Sequence, residues 1–333
     1  MKHANISLFV PHMGCPHQCS FCNQKTISGS VKALTPEDVT ETLQKAIQDN
    51  NEPLNTEVAF FGGSFTAIPR DYMISLLEAS KPFIEKGFFN GVRISTRPDA
   101  IDDEILDILK QYHVKSIELG AQSTDEEVLT LNKRGHTRED IIKASSLIKY
   151  RGFSLGLQMM TGLLGDTDEK TLKTGEDIIS LKPDTVRIYP TVVLEGTELS
   201  EKYKKSEFTP QTLENAVYLC SKLLRRFHDN NIRVIRLGLH SGGNVEDGFV
   251  AGVYHPAFGE LCESAVYLDI LKEKLKGYAD EKDLIVLVKP SEISKMTGHK
   301  GCNKQQLLNE GYRITVKGDD GLSKYELKLK GRK

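Results

Sequence analysis

Up to about residue 190, short apolar runs alternate with longer stretches whose apolar side chains recur every three to four positions. The first rhythm suits a strand and the second an amphipathic helix. Ile6–Pro11 reads as a strand, followed by a loop rich in Gly, Cys and Asn to about Ser30. Thr35-Pro36-Glu37-Asp38 predicts a helix start, with a capping Thr, Pro at the first helical position and acids in the first turn. Glu57–Phe61 is the second strand; Gly62-Gly63-Ser64 and a helix from Arg70 to about Lys86 follow it. Val92–Ser95 is the third strand, with a helix near Asp102–Tyr112. Val114–Leu119 is the fourth, and helices start at Asp125 and at Thr137. In the second of these, Ile141, Ala144, Ser145 and Ile148 share one face. Phe153–Met160 is the fifth strand, with a helix from Asp168 to about Leu181, and Thr185–Tyr189 is the sixth.

Six β-then-α units in a row require a parallel sheet with crossover helices, wound either as an open sheet or as a partial barrel. In both, the reactive side lies where strands end and βα loops begin. Gly62-Gly63, Thr96-Arg97-Pro98-Asp99, Gly120-Ala121-Gln122-Ser123 and Gly162 all fall there. Beyond Asn230 the pattern changes. Ile232–Leu237 reads as a strand, His240–Gly259 is Gly-rich and irregular, and a helix runs from Glu260 to about Lys274. The chain therefore divides into an α/β unit over 1–238 and a small α+β extension over 239–333.

With 333 residues, the chain has the length of two domains or of one large α/β barrel. Hydrophobic residues make up 39% and charged residues 27%, which excludes wholesale disorder, collagen and coiled coil. A net charge of -2 disfavours a strongly basic nucleic-acid binder. The excess of base is local: residues 282–333 carry twelve Lys/Arg against six Asp/Glu, a solvated tail or a surface for a polyanion such as RNA. No apolar run reaches the roughly 18 residues of a membrane helix, and the apolar stretch Ile6–Val10 is too short for a secretory signal. A cytoplasmic protein is expected.

Six cysteines are unevenly placed. Cys220, Cys262 and Cys302 are scattered, and are expected to be buried small hydrophobes. Cys15, Cys19 and Cys22 fall within eight residues in a C-x3-C-x2-C pattern, with Phe21 before the last. Three thiolates on one short loop can converge on one metal centre. Structural zinc wants four ligands, which His12 or His17 could complete. A [4Fe–4S] cube normally takes four cysteines, so three leave one iron open, as in a catalytic site.

This loop after a first strand resembles that of the radical S-adenosylmethionine (SAM) superfamily, whose partial (β/α)6 barrel matches the six units. The resemblance implies that Cys15, Cys19 and Cys22 hold a [4Fe–4S] cluster. Its free iron would bind the amino and carboxylate groups of SAM, and one electron would cleave the sulfonium to methionine and a 5′-deoxyadenosyl radical. Phe21 belongs to the same motif. Gly62, Gly63 and Ser64 stand where the superfamily has a Gly-Gly-acid or Gly-Gly-hydroxyl motif at the SAM amino group. Gln122 resembles a ribose-binding glutamine, and Arg134 an arginine pairing with the SAM carboxylate. Gln158 stands where relatives often carry an acid reaching the ribose hydroxyls.

Longer strings are similar to the radical SAM domain of the Elongator catalytic subunit: Ile94–Asp99, Leu131–Thr137, Ile188–Thr197 and His255–Leu261. That family modifies the wobble uridine of tRNA, using acetyl-CoA delivered by a C-terminal acetyltransferase domain. About 70 residues follow the matched region, too few for an acetyltransferase domain, so tRNA is carried over as the implied substrate and acetylation is not. A more distant resemblance is to oxygen-independent coproporphyrinogen oxidase, where Phe9 replaces a tyrosine. Arg187, Tyr189, Arg236 and His240 are the residues expected to face the substrate. An electron donor such as flavodoxin or ferredoxin is the implied partner. The alternatives are a radical SAM enzyme acting on a small molecule such as a tetrapyrrole, or a non-catalytic iron–sulfur RNA-binding protein.

Overall fold

Seven parallel strands make one curled sheet, with helices covering its outer side. The computed structural model describes residues 4–10, 15, 18–23, 33–49, 53–239, 244–278 and 281–331. In chain order the first part runs β1 (Ala4–Phe9), α1 (Pro36–Asp49), β2 (Thr56–Phe61), α2 (Arg70–Glu85), β3 (Gly91–Thr96) and α3 (Asp103–Gln111). It continues with β4 (Val114–Gln122), α4 (Glu126–Leu131), α5 (Arg138–Tyr150), β5 (Ser154–Thr161), α6 (Asp168–Leu181) and β6 (Thr185–Pro190). The stretch after β6, to which periodicity assigned no element, holds β7 (Val192–Leu194), α7 (Glu198–Lys204) and α8 (Leu213–Asp229). Then come β8 (Arg233–Leu237), α9 (Asn244–Asp247), β9 (Phe249–Gly252) and α10 (Phe258–Leu275). The chain closes with β10 (Asp283–Val288), α11 (Ile293–Thr297), α12 (Cys302–Asn309), β11 (Arg313–Gly318) and β12 (Leu327–Gly331).

The order β1-β2-β3-β4-β5-β6-β8 is that of a partial barrel. Six strands were expected from the repeated units; Arg233–Leu237 is a seventh, pairing parallel to β6. The long crossover before it hid the repeat. Local capping sets the helix starts: the Thr137 hydroxyl accepts the Asp140 N–H, and the Thr137 N–H donates to the Asp140 carboxylate.

Every second strand residue faces the concave side. The outward set is apolar and buried beneath the helices: Ile94, Ile117, Leu119, Leu155, Leu157, Val186 and Ile188 share one core with Leu76, Leu106, Ile148, Ile178 and Leu223 of the helices. The inward set is polar. Register aligns Gly120 with Gln158, Gln158 with Arg187, and Arg187 with Arg236, so these four form one row across the sheet. A parallel sheet buried on both faces ordinarily reads as continuous apolar runs. The polar concave side is therefore the part of this fold that needs a functional explanation.

The extension is α+β, as expected. β10 pairs parallel with β11 and antiparallel with β12. Its Leu284, Val286, Met296, Leu307 and Leu327 join the core that runs beneath the barrel helices, with α10 between them. Cys220 and Cys262 are buried there. Cys302 departs from expectation: it is exposed, because it opens a surface helix directly after the left-handed Gly301. Among the described residues, no helix is long and apolar enough to cross a membrane.

Candidate cofactor and substrate site

Two turns from elsewhere in the chain hold the segment that carries Cys19 and Cys22. The Ser20 N–H donates to the Asn132 carbonyl at 3.2 Å, and its hydroxyl donates to the Asn132 side chain at 2.7 Å. The Leu199 N–H donates to the Ser20 carbonyl at 2.8 Å, and Asn23 donates to the Glu195 carbonyl at 2.8 Å. Phe21 packs against Val193, Leu199 and Phe208. The Arg134 guanidinium lies 5.9 Å from the centre of its ring, close enough for cation–π attraction.

From Cys19 a continuous chain of contacts crosses the top of the barrel. Arg134 Nη1 lies 3.0 Å from Cys19 Sγ, and its Nη2 donates to the Gly120 carbonyl at 2.6 Å. The Arg134 carbonyl accepts from Arg97 Nη2 at 2.6 Å, while Arg97 forks onto Asp99 at 2.8 and 2.9 Å. The Arg97 N–H donates to Ser64 Oγ at 3.0 Å, which also meets the Thr96 hydroxyl at 3.0 Å. Thr96 in turn lies 2.6 Å from the Thr66 hydroxyl. Four loops are thus bound into one unit: the cysteine loop, the turn before α5, the turn after β3 and the Gly-Gly turn after β2.

The Gly-Gly turn needs its glycines. Gly62 has φ +94° and Gly63 has φ +52°. A Cβ on Gly62 would lie 2.5 Å from the Phe9 ring and 2.6 Å from the Val10 carbonyl oxygen. Ser64 is fully buried, with its hydroxyl taken up by Thr96 and the Arg97 N–H. Gln122 ends β4 at φ +66°, beyond an irregularity in the ladder, and its buried Oε1 has no partner among the described residues. Arg134 Nε is likewise buried and without a partner among the described residues. Such orphaned groups carry a desolvation penalty that a bound polar ligand would relieve.

Cys15 and Cys19 lie near enough for their charges to interact. Burial first, then Cys19, pushes the Cys15 thiol up, against the pull of Arg97 and Arg134. Cys22 follows one turn on, its N–H donating to the Cys19 carbonyl at 3.1 Å. Among the described residues, no three His, Cys, Asp or Glu side chains are gathered to metal-binding geometry. The donor set is nonetheless that of a thiolate-bound centre: three thiols on one short segment, with a guanidinium against one of them. At Cys15, Arg97 and Arg134 pull toward the thiolate, the form that binds metal, and burial with Cys19 outweighs them. By the chemistry of its donors and the unsatisfied atoms beside it, the site fits an iron–sulfur cluster and a polar ligand. His12, His17 and His240 lie outside the described residues.

Pattern reading missed the residues deeper in the barrel. Glu118, 1% exposed, is the hub of a charge network on the concave face. It accepts from Arg93 at 2.9 Å, from Arg187 Nη2 at 3.0 Å and from Gln158 Nε2 at 3.0 Å, and it stands in ion-pair contact with Arg187 Nε at 2.7 Å. Arg93 also reaches Glu57 at 2.7 and 2.8 Å, and Ser116 donates to Glu57 at 2.8 Å. Burial opposes the charge on Arg187, and Glu118 and then Tyr189 outweigh it and hold its pKa up. Arg187 also lies 5.3 Å from the centre of the Phe61 ring. Gln158 is engaged here as a donor to Glu118. His136 is a second missed residue. It is buried, its Nε2 meets the Ala121 carbonyl at 3.2 Å, and its Nδ1 has no partner among the described residues. Burial first, then Arg134, lowers its pKa to about 4, so the ring is neutral and Nε2 carries the proton. The signal for the network was present in the sequence as alternating polar residues within strands.

Comparison with known proteins agrees with this architecture. The profile of the radical SAM superfamily matches residues 9–178, and that of the radical SAM C-terminal domain matches residues 183–267. An uncharacterised protein of Methanocaldococcus jannaschii, MJ0486, is 31% identical over 218 residues, which is 62% of this chain and 66% of that protein. The tRNA uridine(34) acetyltransferase of the same organism is 30% identical over 258 residues, 66% of this chain. The chain spans 48% of that relative's length. Among solved structures, archaeal Elp3 from Methanocaldococcus infernus, with its N-terminus deleted, superposes with a TM-score of 0.62 at 26% identity. That match covers 81% of this chain and 63% of the other. With half of its residues inside one superfamily profile and the seven-stranded partial barrel beneath them, the chain belongs to the radical SAM superfamily of enzymes.

Proposed function

We propose that this chain holds a [4Fe–4S] cluster at Cys15, Cys19 and Cys22, binds SAM across the top of the barrel, and modifies tRNA. The observation that carries the reading is the chain of contacts from Cys19 through Arg134 and Arg97 to Ser64. It fixes the cysteine loop relative to the Gly-Gly turn before any ligand arrives. When bound, the cluster and SAM together supply reductive cleavage of the SAM sulfonium. Arg134 presents Nε and a fixed positive charge to the SAM carboxylate. Gly62 and Gly63 let the backbone approach the methionine end without a Cβ, and Gln122 offers its free Oε1 to a hydroxyl donor. The Glu118 network holds the floor of the cavity rigid. An electron donor such as flavodoxin or ferredoxin completes the scheme, and a cytoplasmic location suits it.

The tRNA part rests on the names of the relatives, tRNA uridine(34) acetyltransferase and Elongator complex protein 3. Acetyl transfer is not part of the proposal. Reconstitution without oxygen is expected to load about four irons per chain. Dithionite with SAM is then expected to release 5′-deoxyadenosine, and Cys19→Ala to abolish both. Full SAM cleavage by Cys19→Ala would overturn the cluster assignment. Binding of tRNA that falls steeply with salt supports the RNA part, and no binding at low salt removes it.

A further inference from the structure

The charges on the concave face do not cancel. Glu57 and Glu118 are matched by Arg93 and Arg187, and all four are engaged in ion pairs at 2.7 to 3.0 Å. Arg236 stands beside Arg187 in register and adds a third guanidinium. Its Nε donates to the Gly238 carbonyl at 3.1 Å, and no carboxylate among the described residues pairs with it. It is half-buried, and burial, with Arg187 beside it, works against its charge; only Tyr189 opposes them. A half-buried guanidinium next to another, with no counter-charge, is unfavourable for the empty fold. Among the described residues its two Nη groups have no hydrogen-bond partner, and they form the planar fork that matches a phosphate. Tyr189 lies on the same inward face, on the strand adjoining β8, and its hydroxyl interacts with Arg187 and lies near Arg236.

We propose that Arg236, assisted by Tyr189, is a subsite for a phosphodiester oxygen of the RNA substrate, while Arg187 is a positioning residue committed to Glu118. This rests on the reading of the substrate as tRNA. It divides the residues expected to face the substrate by their partners: Arg187 is electrostatically satisfied and Arg236 is not.

The test is binding of unfractionated tRNA to the cluster-reconstituted protein, measured over a range of salt. Arg236→Gln is expected to weaken binding about tenfold, and to make the log K against log salt slope shallower by about 0.7 to 0.9, the loss of one phosphate contact. Arg236→Lys keeps the slope, because it keeps the charge. Tyr189→Phe weakens binding a few-fold with the slope unchanged, and serves as the second variant should Arg236→Gln fold poorly. Wild-type affinity and slope in Arg236→Gln would overturn the subsite while leaving tRNA as the substrate. A weakened affinity with an unchanged slope would also overturn it, since no ionic contact would have been lost. A wild-type protein that does not bind tRNA at all would overturn the substrate reading, and this subsite with it.

Discussion

Arg134 and Cys19 are 115 residues apart in the chain, yet Nη1 of the one lies 3.0 Å from Sγ of the other. The contact joins the thiol expected to ligate iron to the guanidinium expected to hold the SAM carboxylate. The same guanidinium is braced by the Gly120 carbonyl at 2.6 Å, so it is oriented before ligand binding.

Arg134→Lys tests that arrangement. A lysine keeps the charge but loses the planar fork, and cannot serve Cys19 and Gly120 together. Hydrogen bonds to charged groups contribute about 1.5–3 kcal/mol, so SAM affinity should fall roughly 10- to 100-fold. Equilibrium dialysis with labelled SAM measures this, with iron content determined separately. An affinity within twofold of wild type would remove Arg134 from the SAM site.

Glu118→Gln leaves Arg93 and Arg187 facing a neutral amide in a site that is 1% exposed at Glu118. Removing one partner from a buried ion pair costs about 3–5 kcal/mol. Urea denaturation should show a lower midpoint with an unchanged slope. A loss below about 1 kcal/mol would show that water reaches the network freely.

His136 sets a pH dependence. Its pKa is lowered to about 4 in the folded chain against 6.5 for the free side chain. Between these values the unfolded chain binds the proton more readily, so stability rises with pH there. The contribution is complete above about pH 6.5 and is lost as pH falls toward 4, up to about 3 kcal/mol. His136→Gln removes this titration, so its stability should fall less steeply than that of wild type over the window. Parallel curves for the two proteins would mean that the imidazole is solvated.

Gly62→Ala places a methyl 2.6 Å from the Val10 carbonyl oxygen, at a residue with φ +94°. Backbone strain of this kind costs about 1–3 kcal/mol, and the clash adds to it. Thermal unfolding should show a clear drop in Tm, with SAM binding lowered as well. A variant as stable as wild type would mean that the turn relaxes without cost.

What the sequence determined by itself was local. The Thr35-Pro36 start, the helix over Asp168–Leu181 and the strand at Thr185 were readable because capping and periodicity act over a few residues. The cysteine spacing was readable for the same reason: three thiols on one loop need no tertiary information to suggest a shared centre. The seventh strand was visible as an apolar run, but its place beside β6 was not, since a long crossover separates the two. Only the tertiary structure decided which polar residues meet. Glu118 finds Arg93 25 residues before it and Arg187 69 residues after it because sheet register puts them on one face. That same register leaves Arg236 without a carboxylate among the described residues. Ion pairs across a sheet depend on strand order and alignment, which the folded core imposes, and no short stretch of sequence carries either.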